Sequence, residues 1–320
     1  MPVLPATPES IARAAALIRA GGVVAFPTET VYGLGALAWN ASAVARIFEI
    51  KRRPSFDPLI VHVLDVTMLE RVAAHVSDAA ESLIARFWPG ALTIVLEKRA
   101  EVPSLVTAGL ASVAVRMPSH PVVRALLESV GEPIAAPSAN AFGGLSPTRA
   151  AHVERVLGGD VDMILDGGPT EYGLESTIVA LEPKPVLLRP GAIAVEEIEA
   201  TIGPLSRARA TGPVLAPGQL PTHYAPRTPL RVVDPSMVPA AQRAGAGALA
   251  FQESIDGYAA RRVLSRRGDL REAAAAFFEL LHELDALGLE RIDAQPLPER
   301  GLGLAMMDRL RRAETGGANG

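Results

Sequence analysis

The sequence predicts an α/β protein with a large, partly parallel sheet, followed by a linker and a smaller α/β unit. Three observations predict this fold. Short apolar runs alternate with segments of helical periodicity throughout residues 1–205, a mixture typical of α/β domains. Eight of the 27 prolines fall within residues 204–239, a density that opposes helix interiors and central strands. Strand-like and helical patterns then resume.

The strands of the first region are predicted from short apolar runs bounded by turn-forming residues. The predicted strands are residues 22–26, 58–64, 91–97, 112–117, 133–137, 162–166 and 176–181. Apolar residues at helical spacing predict helices at residues 8–20, 41–53, 78–87, 120–130 and 148–157. Periodicity alone leaves the order of the strands open.

The region after the linker contains two strand-like segments, LRVVD and GALAF, and then a long helical pattern. That helix is predicted to begin after Asp269, whose side chain can cap a helix N-terminus. The strand-like ERIDA and the helical GLAMMDRLRRA follow. We therefore place a first domain at residues 1–203, a proline-rich linker at 204–229 and a small α/β domain at 230–320.

Composition excludes several classes of protein. No apolar run approaches the roughly 20 residues of a membrane span, and the first residues lack the pattern of a signal peptide. Without cysteine, the chain has no disulfide, thiolate nucleophile or thiolate metal site. A net charge of −4 argues against a non-specific nucleic-acid binder. We expect a cytoplasmic protein that does not bind membranes.

The segment PTETVYGLGALA, residues 27–38, has a G-x-G-x-x-A spacing directly after a predicted strand. No lysine follows the glycines, so the segment is not a phosphate loop of the Walker type. Three interpretations remain open. The segment is a dinucleotide-binding turn, a loop whose Thr28 and Thr30 hydroxyls face a ligand, or an ordinary polar turn.

Lys51 continues the apolar stripe of Val44 and Ile47, so we expect its ammonium to point to the interior or to a cleft. It is one of three lysines among 31 basic residues, and Arg53 lies two positions on. Cations at a helix C-terminus also complement the helix dipole, which is the simpler alternative. A compact ammonium beside a forked guanidinium favours phosphate binding.

Further polar residues lie in predicted strands or where such strands end. His62 is either a hydrogen-bonded core histidine or a site residue, and Arg116 ends the strand SVAVRM beside a possible pocket. PSANAFGGLSPT, ESTI and LLRPGAI carry Ser138, Asn140, Ser146, Ser176 and Arg189 at similar places. Such donors suit a nucleotide, although plain polar turns have the same composition. No histidine pair or carboxylate cluster has the spacing of a metal site.

Six motifs in a fixed order carry a family resemblance: FPTETVYGLG, KRRPSFDPLIVHV, SVAVRMP, PIAAPSANAFGGLSPT, ESTIV and LLRPGAI. With them the chain resembles the threonylcarbamoyl-AMP synthase family, part of the YrdC superfamily, in its two-domain Sua form. APGQLPTHYAP resembles the linker of that form, and GLGLAMMDRLRRA resembles its C-terminal ending. The resemblance implies a YrdC-like twisted mixed sheet with flanking helices, then a small Rossmann-like α/β domain.

The resemblance also implies a reaction. L-threonine, bicarbonate and ATP give threonylcarbamoyl-AMP and pyrophosphate, and the product serves threonylcarbamoyladenosine formation in tRNA. Mg²⁺ is expected to arrive with ATP, and the product is expected to pass to the tRNA threonylcarbamoyl transferase machinery. Direct tRNA binding stays open. Two alternatives use the same fold: an RNA-binding module, and a carbamoyl-transfer domain of hydrogenase maturation, against which the absence of cysteine argues.

The family's site residues are carried over by motif. Those implied to bind threonine are Thr30, His62, Arg116, Ala136 and Ser176. Those implied to bind ATP are Lys51, Arg53, Asp57, Ser112, Ser138, Asn140, Ser146, Arg189 and Tyr224. Lys51 and Arg53 are the catalytic pair, Arg116 pairs with the threonine carboxylate, and Tyr224 closes over the nucleotide from the linker.

Overall fold

The computed structural model describes residues 2–208, 214–220 and 223–316. An eleven-stranded mixed sheet with flanking helices precedes a four-stranded parallel sheet with its own helices, as the sequence predicts. Residues 209–213 and 221–222 of the predicted linker, which include Pro213 and Pro221, lie outside the described residues. The last four residues of the chain do so as well.

The strands and helices are numbered in chain order. The strands of the first domain are β1 (Val3–Pro5), β2 (Val24–Phe26), β3 (Gly33–Leu37), β4 (Ile60–His62), β5 (Leu92–Glu97), β6 (Ser112–Arg116), β7 (Ile134–Ala135), β8 (Met163–Asp166), β9 (Thr177–Ala180), β10 (Val186–Arg189) and β11 (Ser206–Arg207). Its helices are α1 (Pro8–Arg19), α2 (Ala41–Lys51), α3 (Val66–Glu70), α4 (Asp78–Phe87), α5 (Pro121–Val130), α6 (Ala150–Leu157) and α7 (Val195–Ile202). The C-terminal domain contains β12 (Leu230–Val232), β13 (Ala246–Ala250), β14 (Ala260–Val263), α8 (Leu270–Asp285), β15 (Arg291–Ala294) and α9 (Leu302–Gly316).

The large sheet has the strand order β1-β8-β2-β3-β7-β4-β6-β5-β9-β10-β11. Neighbours run antiparallel at β2/β3, β3/β7, β7/β4, β6/β5 and β9/β10, and parallel elsewhere. The small sheet has the order β12-β15-β13-β14, and all of its neighbours are parallel. Residues at the ends of β3, β4, β6 and β10 line a cleft.

The segment PTETVYGLGALA divides in two: residues 27–32 form a loop whose Thr28 and Thr30 line a cleft, whereas residues 33–37, expected to belong to the same loop or turn, form β3. A side chain at Gly35 would place its Cβ 2.5 Å from the Phe26 ring and 2.7 Å from Ile134. The glycines therefore let β3 pack tightly between its neighbours, and they do not form a phosphate-binding turn.

Helix starts follow local capping. The Asn40 side chain accepts a hydrogen bond from the Ala43 amide at 3.1 Å and begins α2, and Asp269 caps α8 as predicted. Helix α2 ends at Lys51, and the next residue, Arg52, has a left-handed backbone that stops the helix. In the ranges that the structure describes, no helix is long and apolar enough to cross a membrane.

The two domains share a core. Leu174 and Ala192 of the first domain lie in the same buried cluster as Phe277, Phe278 and Met306 of the C-terminal domain. Helices α8 and α9 supply those C-terminal residues, so both helices lie directly against the loops that follow β8 and β10. The C-terminal domain is thus packed beside the cleft.

Candidate active site

A cleft lies where the central strands of the large sheet end. It contains about 520 Å³ of empty space, including the part that opens to solvent. Its lining includes nine of the residues predicted for the site: Thr30, Arg53, His62, Arg116, Ala136, Ser138, Ser176, Arg189 and Tyr224. Its two ends differ in charge, and we call them the Arg116 half (Glu29, Thr30, His62, Arg116) and the Lys51 half (Lys51, Arg53, Asp57, Ser138, Arg189).

In the Arg116 half, the guanidinium of Arg116 is held by neighbours on two sides. Its Nη1 donates to the Thr30 Oγ1 at 2.8 Å, and its Nη2 forms an ion pair with the Glu29 Oε1 at 2.6 Å. Nε donates to the Gly90 carbonyl oxygen at 3.1 Å. Arg116 and Glu29 are both buried, so the guanidinium is fixed in direction at the wall of the cleft.

His62 lies beside Arg116 because β4 and β6 are parallel and place the two residues in register. It is fully surrounded by protein, and burial lowers its pKa to about 3, with the positive charge of Arg116 adding to the effect. Its Nδ1 has no hydrogen-bond partner among the described residues. His62 is therefore a neutral imidazole at pH 7, with a nitrogen available to a ligand.

Ser176 and Ala136 lie between the two halves. The Ser176 Oγ is 2.7 Å from the Thr93 Oγ1 and accepts a hydrogen bond from the Arg189 Nη2 at 3.1 Å. Ala136, whose amide donates to the Ile60 carbonyl oxygen, adds a small apolar wall. The Ser176 hydroxyl therefore lies on the lining of the cleft and is held by Arg189 of the Lys51 half.

In the Lys51 half, the ammonium of Lys51 points inward, because Lys51 lies on the buried face of α2 as the sequence predicts. Its Nζ donates to the carbonyl oxygens of Ser138, at 2.7 Å, and Asn140. Burial lowers the pKa of Lys51 well below its ordinary value, and the charge of Arg53 lowers it further. An anionic ligand nearby would restore the protonated form.

Arg53 and Asp57 form a buried ion pair four residues apart. The Arg53 Nη2 lies 2.9 Å from the Asp57 Oδ1, and its Nε donates to the Asp57 carbonyl oxygen at 3.0 Å. Neither carboxylate oxygen of Asp57 has a hydrogen bond among the described residues. Asp57 therefore orients Arg53, and its free oxygen is able to accept a further cation or donor.

Four of the predicted ATP residues lie behind the cleft wall: Lys51, Asp57, Asn140 and Ser146. Asn140 donates from its Nδ2 to the carbonyl oxygens of Ala141 and Gly144, which fixes the turn that also receives Lys51. Ser146 donates to Glu175. These residues shape the wall that Ser138 and Arg189 present to the cleft.

Ser112 lies apart from the other predicted residues. It begins β6, whereas Arg116 ends the same strand, and it lines a separate cavity with Glu97 and Leu215. An apolar strip of the sheet face that includes Ile60, Val95, Ala114 and Ala180 connects the two places. The structure therefore does not bring Ser112 to the Lys51 half.

The described part of the linker covers the cleft. Tyr224 is buried and has a left-handed backbone with φ 65°, a strained conformation for this residue type. The centre of its ring lies 4.1 Å from the ring centre of His223 and 6.0 Å from the ring centre of Phe278 on α8. A Cβ at Gly218, which has φ 80°, would lie 2.4 Å from the Tyr224 hydroxyl. The linker thus fits closely over the site.

Sequence reasoning did not assign Glu29, Glu175, His223 and Arg309 to the site. Both glutamates stand inside quoted motifs, in PTET and ESTI, and a carboxylate within an otherwise neutral, strand-flanking motif is a usable signal. Arg309 gave no such signal, because its partner Glu175 lies 134 residues earlier in the chain.

The described residues contain no group of three or more acidic, histidine or cysteine side chains that could hold a metal ion.

Comparison with known proteins gives matches along both domains. Residues 16–191 match the Sua5/YciO/YrdC family, described as "Telomere recombination", and residues 193–315 match "Threonylcarbamoyl-AMP synthase, C-terminal domain". A threonylcarbamoyl-AMP synthase of Bacillus subtilis is 45% identical over 96% of this chain and 93% of its own length. One from Pyrococcus abyssi is 43% identical over 94% and 92%. The crystal structure of P. abyssi Sua5 complexed with L-threonine superimposes with a TM-score of 0.90, at 40% identity, over 97% of this chain and 96% of that one.

Proposed function

Because the chain belongs to the threonylcarbamoyl-AMP synthase family, we propose that its cleft holds L-threonine in the Arg116 half and ATP in the Lys51 half. The enzyme joins L-threonine, bicarbonate and ATP into threonylcarbamoyl-AMP, with pyrophosphate as the second product. It is a nucleotidyltransferase, since an adenylate forms. The two alternatives with the same fold do not explain 45% identity to a synthase along 96% of the chain.

The observation that supports this assignment is the difference in charge between the halves. In the Arg116 half, the charge of Arg116 is balanced by Glu29. In the Lys51 half, Lys51, Arg53 and Arg189 face the Asp57 carboxylate, while the other nearby carboxylate, Glu175, pairs with a cation of its own, Arg309. A zwitterionic amino acid suits the neutral half, and a polyphosphate suits the cationic half.

Threonine binding is proposed to use the contacts that Arg116 leaves open. Thr30 and Glu29 already fix the orientation of the guanidinium. It therefore pairs with the threonine carboxylate without losing further conformational freedom. The neutral His62, through its unpartnered Nδ1, and the Ser176 hydroxyl serve the polar groups of the amino acid. Ala136 contacts its apolar part.

The threonine amine and bicarbonate form a carbamate with loss of water. In the chemical step a carbamate oxygen bonds to the α-phosphorus of ATP, the bond from that phosphorus to the α–β bridging oxygen breaks, and pyrophosphate leaves. In this position Arg53, which lines the cleft, and Lys51, whose ammonium lies just behind the wall on the Ser138 and Asn140 carbonyl oxygens, are proposed to stabilise the charge that develops on the phosphate oxygens. Ser138 and Arg189 position the nucleotide, and Asn140 and Ser146 position the surrounding wall. The covering linker excludes water, which protects both the carbamate and the mixed anhydride. Ser112 is proposed to contact ATP at the far end of the apolar strip, in the cavity beside Leu215.

Mg²⁺ is proposed to arrive bound to the phosphate oxygens of ATP and to water. Asp57 lies behind the cleft wall and pairs with Arg53, so its role is to orient Arg53 toward the phosphates that would carry the ion. The ion neutralises phosphate charge when it is bound. We further propose that the enzyme acts in the cytoplasm and passes its product to the transferase machinery that modifies tRNA.

The test of this function is pyrophosphate release from ATP by the full chain, with threonine and bicarbonate omitted in turn. Release should need both. The Lys51→Ala variant serves as the matched inactive control, because it removes the ammonium and keeps the threonine half intact. Release that continues at the same rate without threonine would contradict the proposal.

A further inference from the structure

Arg309 of helix α9 reaches out of the C-terminal domain into the first domain. Its side chain is only 1% exposed, and it is one of the largest fully buried side chains among the described residues. The Nε and Nη2 atoms both donate to the Glu175 Oε2, each at 3.0 Å, and Nη1 donates to the Pro190 carbonyl oxygen at 2.6 Å. The guanidinium is thus fixed across the domain boundary by three hydrogen bonds.

Glu175 connects this guanidinium to the cleft. It lines the cleft, and its second carboxylate oxygen accepts a hydrogen bond from the Ser146 hydroxyl. Burial raises the pKa of Glu175, but the charges of Arg309 and Arg189 and the Ser146 hydrogen bond outweigh burial and hold it below its ordinary value. Glu175 is therefore an anion in the part of the cleft that binds a polyanion, and it requires a cation of its own.

The same guanidinium supports the linker. Its central carbon lies 5.0 Å from the centre of the Tyr224 ring, within cation–π range. Tyr224 keeps a strained backbone, so the covering position needs contacts that hold it there. Arg309 therefore touches both a wall residue, Glu175, and a roof residue, Tyr224, although it does not line the cleft itself.

We propose that Arg309 is a positioning residue for ATP, so that the C-terminal domain completes the nucleotide half of the site by fixing Glu175 and Tyr224. This inference rests on the proposed function, because it takes the ligand of that half to be ATP. Without Arg309, the Glu175 carboxylate would lose its ion pair and its charge would repel the phosphates, and the Tyr224 ring would lose its cation–π contact. The Arg116 half contacts none of these residues directly, so threonine binding should change little.

The test compares four variants of the full chain with the wild type: Arg309→Met, Glu175→Gln, the two combined, and Arg311→Met. Arg311 lies on the same helix, is half exposed and pairs with Glu299 within its own domain, which makes it a matched control. Calorimetric titration measures the Kd of ATP and of threonine separately, steady-state assays measure KM for each, and urea unfolding reports the stability of every variant.

Arg309→Met should raise the Kd and KM of ATP about tenfold or more, the usual size of a coupling between sites, and change those of threonine much less. Adding Glu175→Gln to it should recover most of the lost ATP affinity, because the uncompensated charge is then gone. Arg311→Met should match the wild type. Recovery of affinity is a readout that a purely structural role of Arg309 does not produce.

Equal losses for ATP and threonine, or no recovery in the double variant, would overturn the inference. The same holds if Arg309→Met binds ATP as the wild type does. Titration measures affinity without turnover. A wild-type chain that binds ATP but releases no pyrophosphate would therefore refute the proposed function and still leave the comparison of Arg309 variants readable.

Discussion

The two halves of the cleft use arginine in different ways. Arg116 is matched one to one by Glu29, and both belong to the first domain. In the Lys51 half, three cations face Asp57, and a second carboxylate, Glu175, is neutralised from outside the domain by Arg309. A neutral half built within one domain thus adjoins a cationic half that two domains complete. The neutral half suits a small zwitterion, and the cationic half suits a large anion.

The two halves also differ in how their charged side chains are held before a ligand binds. The Arg116 half is preorganised, because the guanidinium is already oriented before a ligand binds. It donates hydrogen bonds to Thr30 and to the Gly90 carbonyl oxygen and forms an ion pair with Glu29. The Lys51 half instead brings Lys51, Arg53 and Arg189 together in the interior, where burial and the charge of Arg53 lower the pKa of Lys51 well below its ordinary value. Changes in the second half should therefore affect catalysis, and changes in the first should affect amino-acid affinity.

The largest effect is expected for Lys51→Ala. Turnover should fall by roughly a hundredfold or more, because removing a group that stabilises developing charge in a site typically costs about 2.7 to 4 kcal/mol. Lys98→Ala is the matched control, since Lys98 donates to the Val102 carbonyl oxygen away from the cleft. The measurement is kcat for pyrophosphate release in both variants. Equal, small losses would mean that Lys51 only stabilises the end of α2.

Arg116→Gln tests the neutral half. The Kd of threonine should rise about ten- to hundredfold, because a hydrogen bond to a charged group contributes about 1.5 to 3 kcal/mol. The Kd of ATP should change much less. Separate calorimetric titrations measure both, and the combination with Glu29→Gln controls for the buried carboxylate that the single change leaves unpaired. A loss confined to ATP would reverse the assignment of the two halves.

Tyr224 tests whether the linker protects the product. Tyr224→Ala should keep the fold and give several-fold less intact threonylcarbamoyl-AMP for each pyrophosphate released, because water enters the uncovered site. Tyr224→Phe keeps the ring that contacts His223 and Arg309, and it should retain most of the yield. Chromatography of the adenylate beside the pyrophosphate assay gives the ratio. An unchanged ratio in the alanine variant would rule out a protective linker.

The smallest effect concerns pH. His62 has a pKa of about 3 in the folded chain and about 6.5 when unfolded, so it stays neutral in the enzyme between pH 6 and 8. His62→Gln should therefore leave the shape of the pH–rate profile unchanged. Since the unfolded chain takes up the proton first, the contribution of His62 to folding stability falls as the pH drops below about 6.5. Urea unfolding from pH 7 to pH 5 should show a shallower loss in the variant.

The sequence predicted the elements whose patterns are local. The strand SVAVRM and the helix after Asp269 have clear periodicity and appear within one or two residues of the predicted bounds. β3 was missed because its glycines look like turn residues in sequence, whereas the tight packing between Phe26 and Ile134 that requires them is visible only in three dimensions. β14, Ala260–Val263, is short and carries two arginines, so it shows no apolar run.

The same distinction applies to the site. Lys51 could be assigned to an interior position because its neighbours on one helix reveal the buried face. The contact between Glu175 and Arg309 could not be predicted, because local sequence patterns carry no information about a contact between residues 134 positions apart. Ser112 is the predicted residue that the structure places farthest from its group, because it lies at the opposite end of the strand that carries Arg116.

The pair between Glu175 and Arg309 also has a consequence for synthesis of the chain. The two residues lie 134 positions apart, and Arg309 stands close to the end of the sequence. At a translation rate of about 5 to 20 residues per second, Glu175 is made roughly 7 to 27 seconds before its partner. The first domain can begin folding in that interval with its buried carboxylate uncompensated. A frameshift or stop codon at or before codon 309 would therefore remove the cation that pairs with Glu175 and damage the nucleotide half.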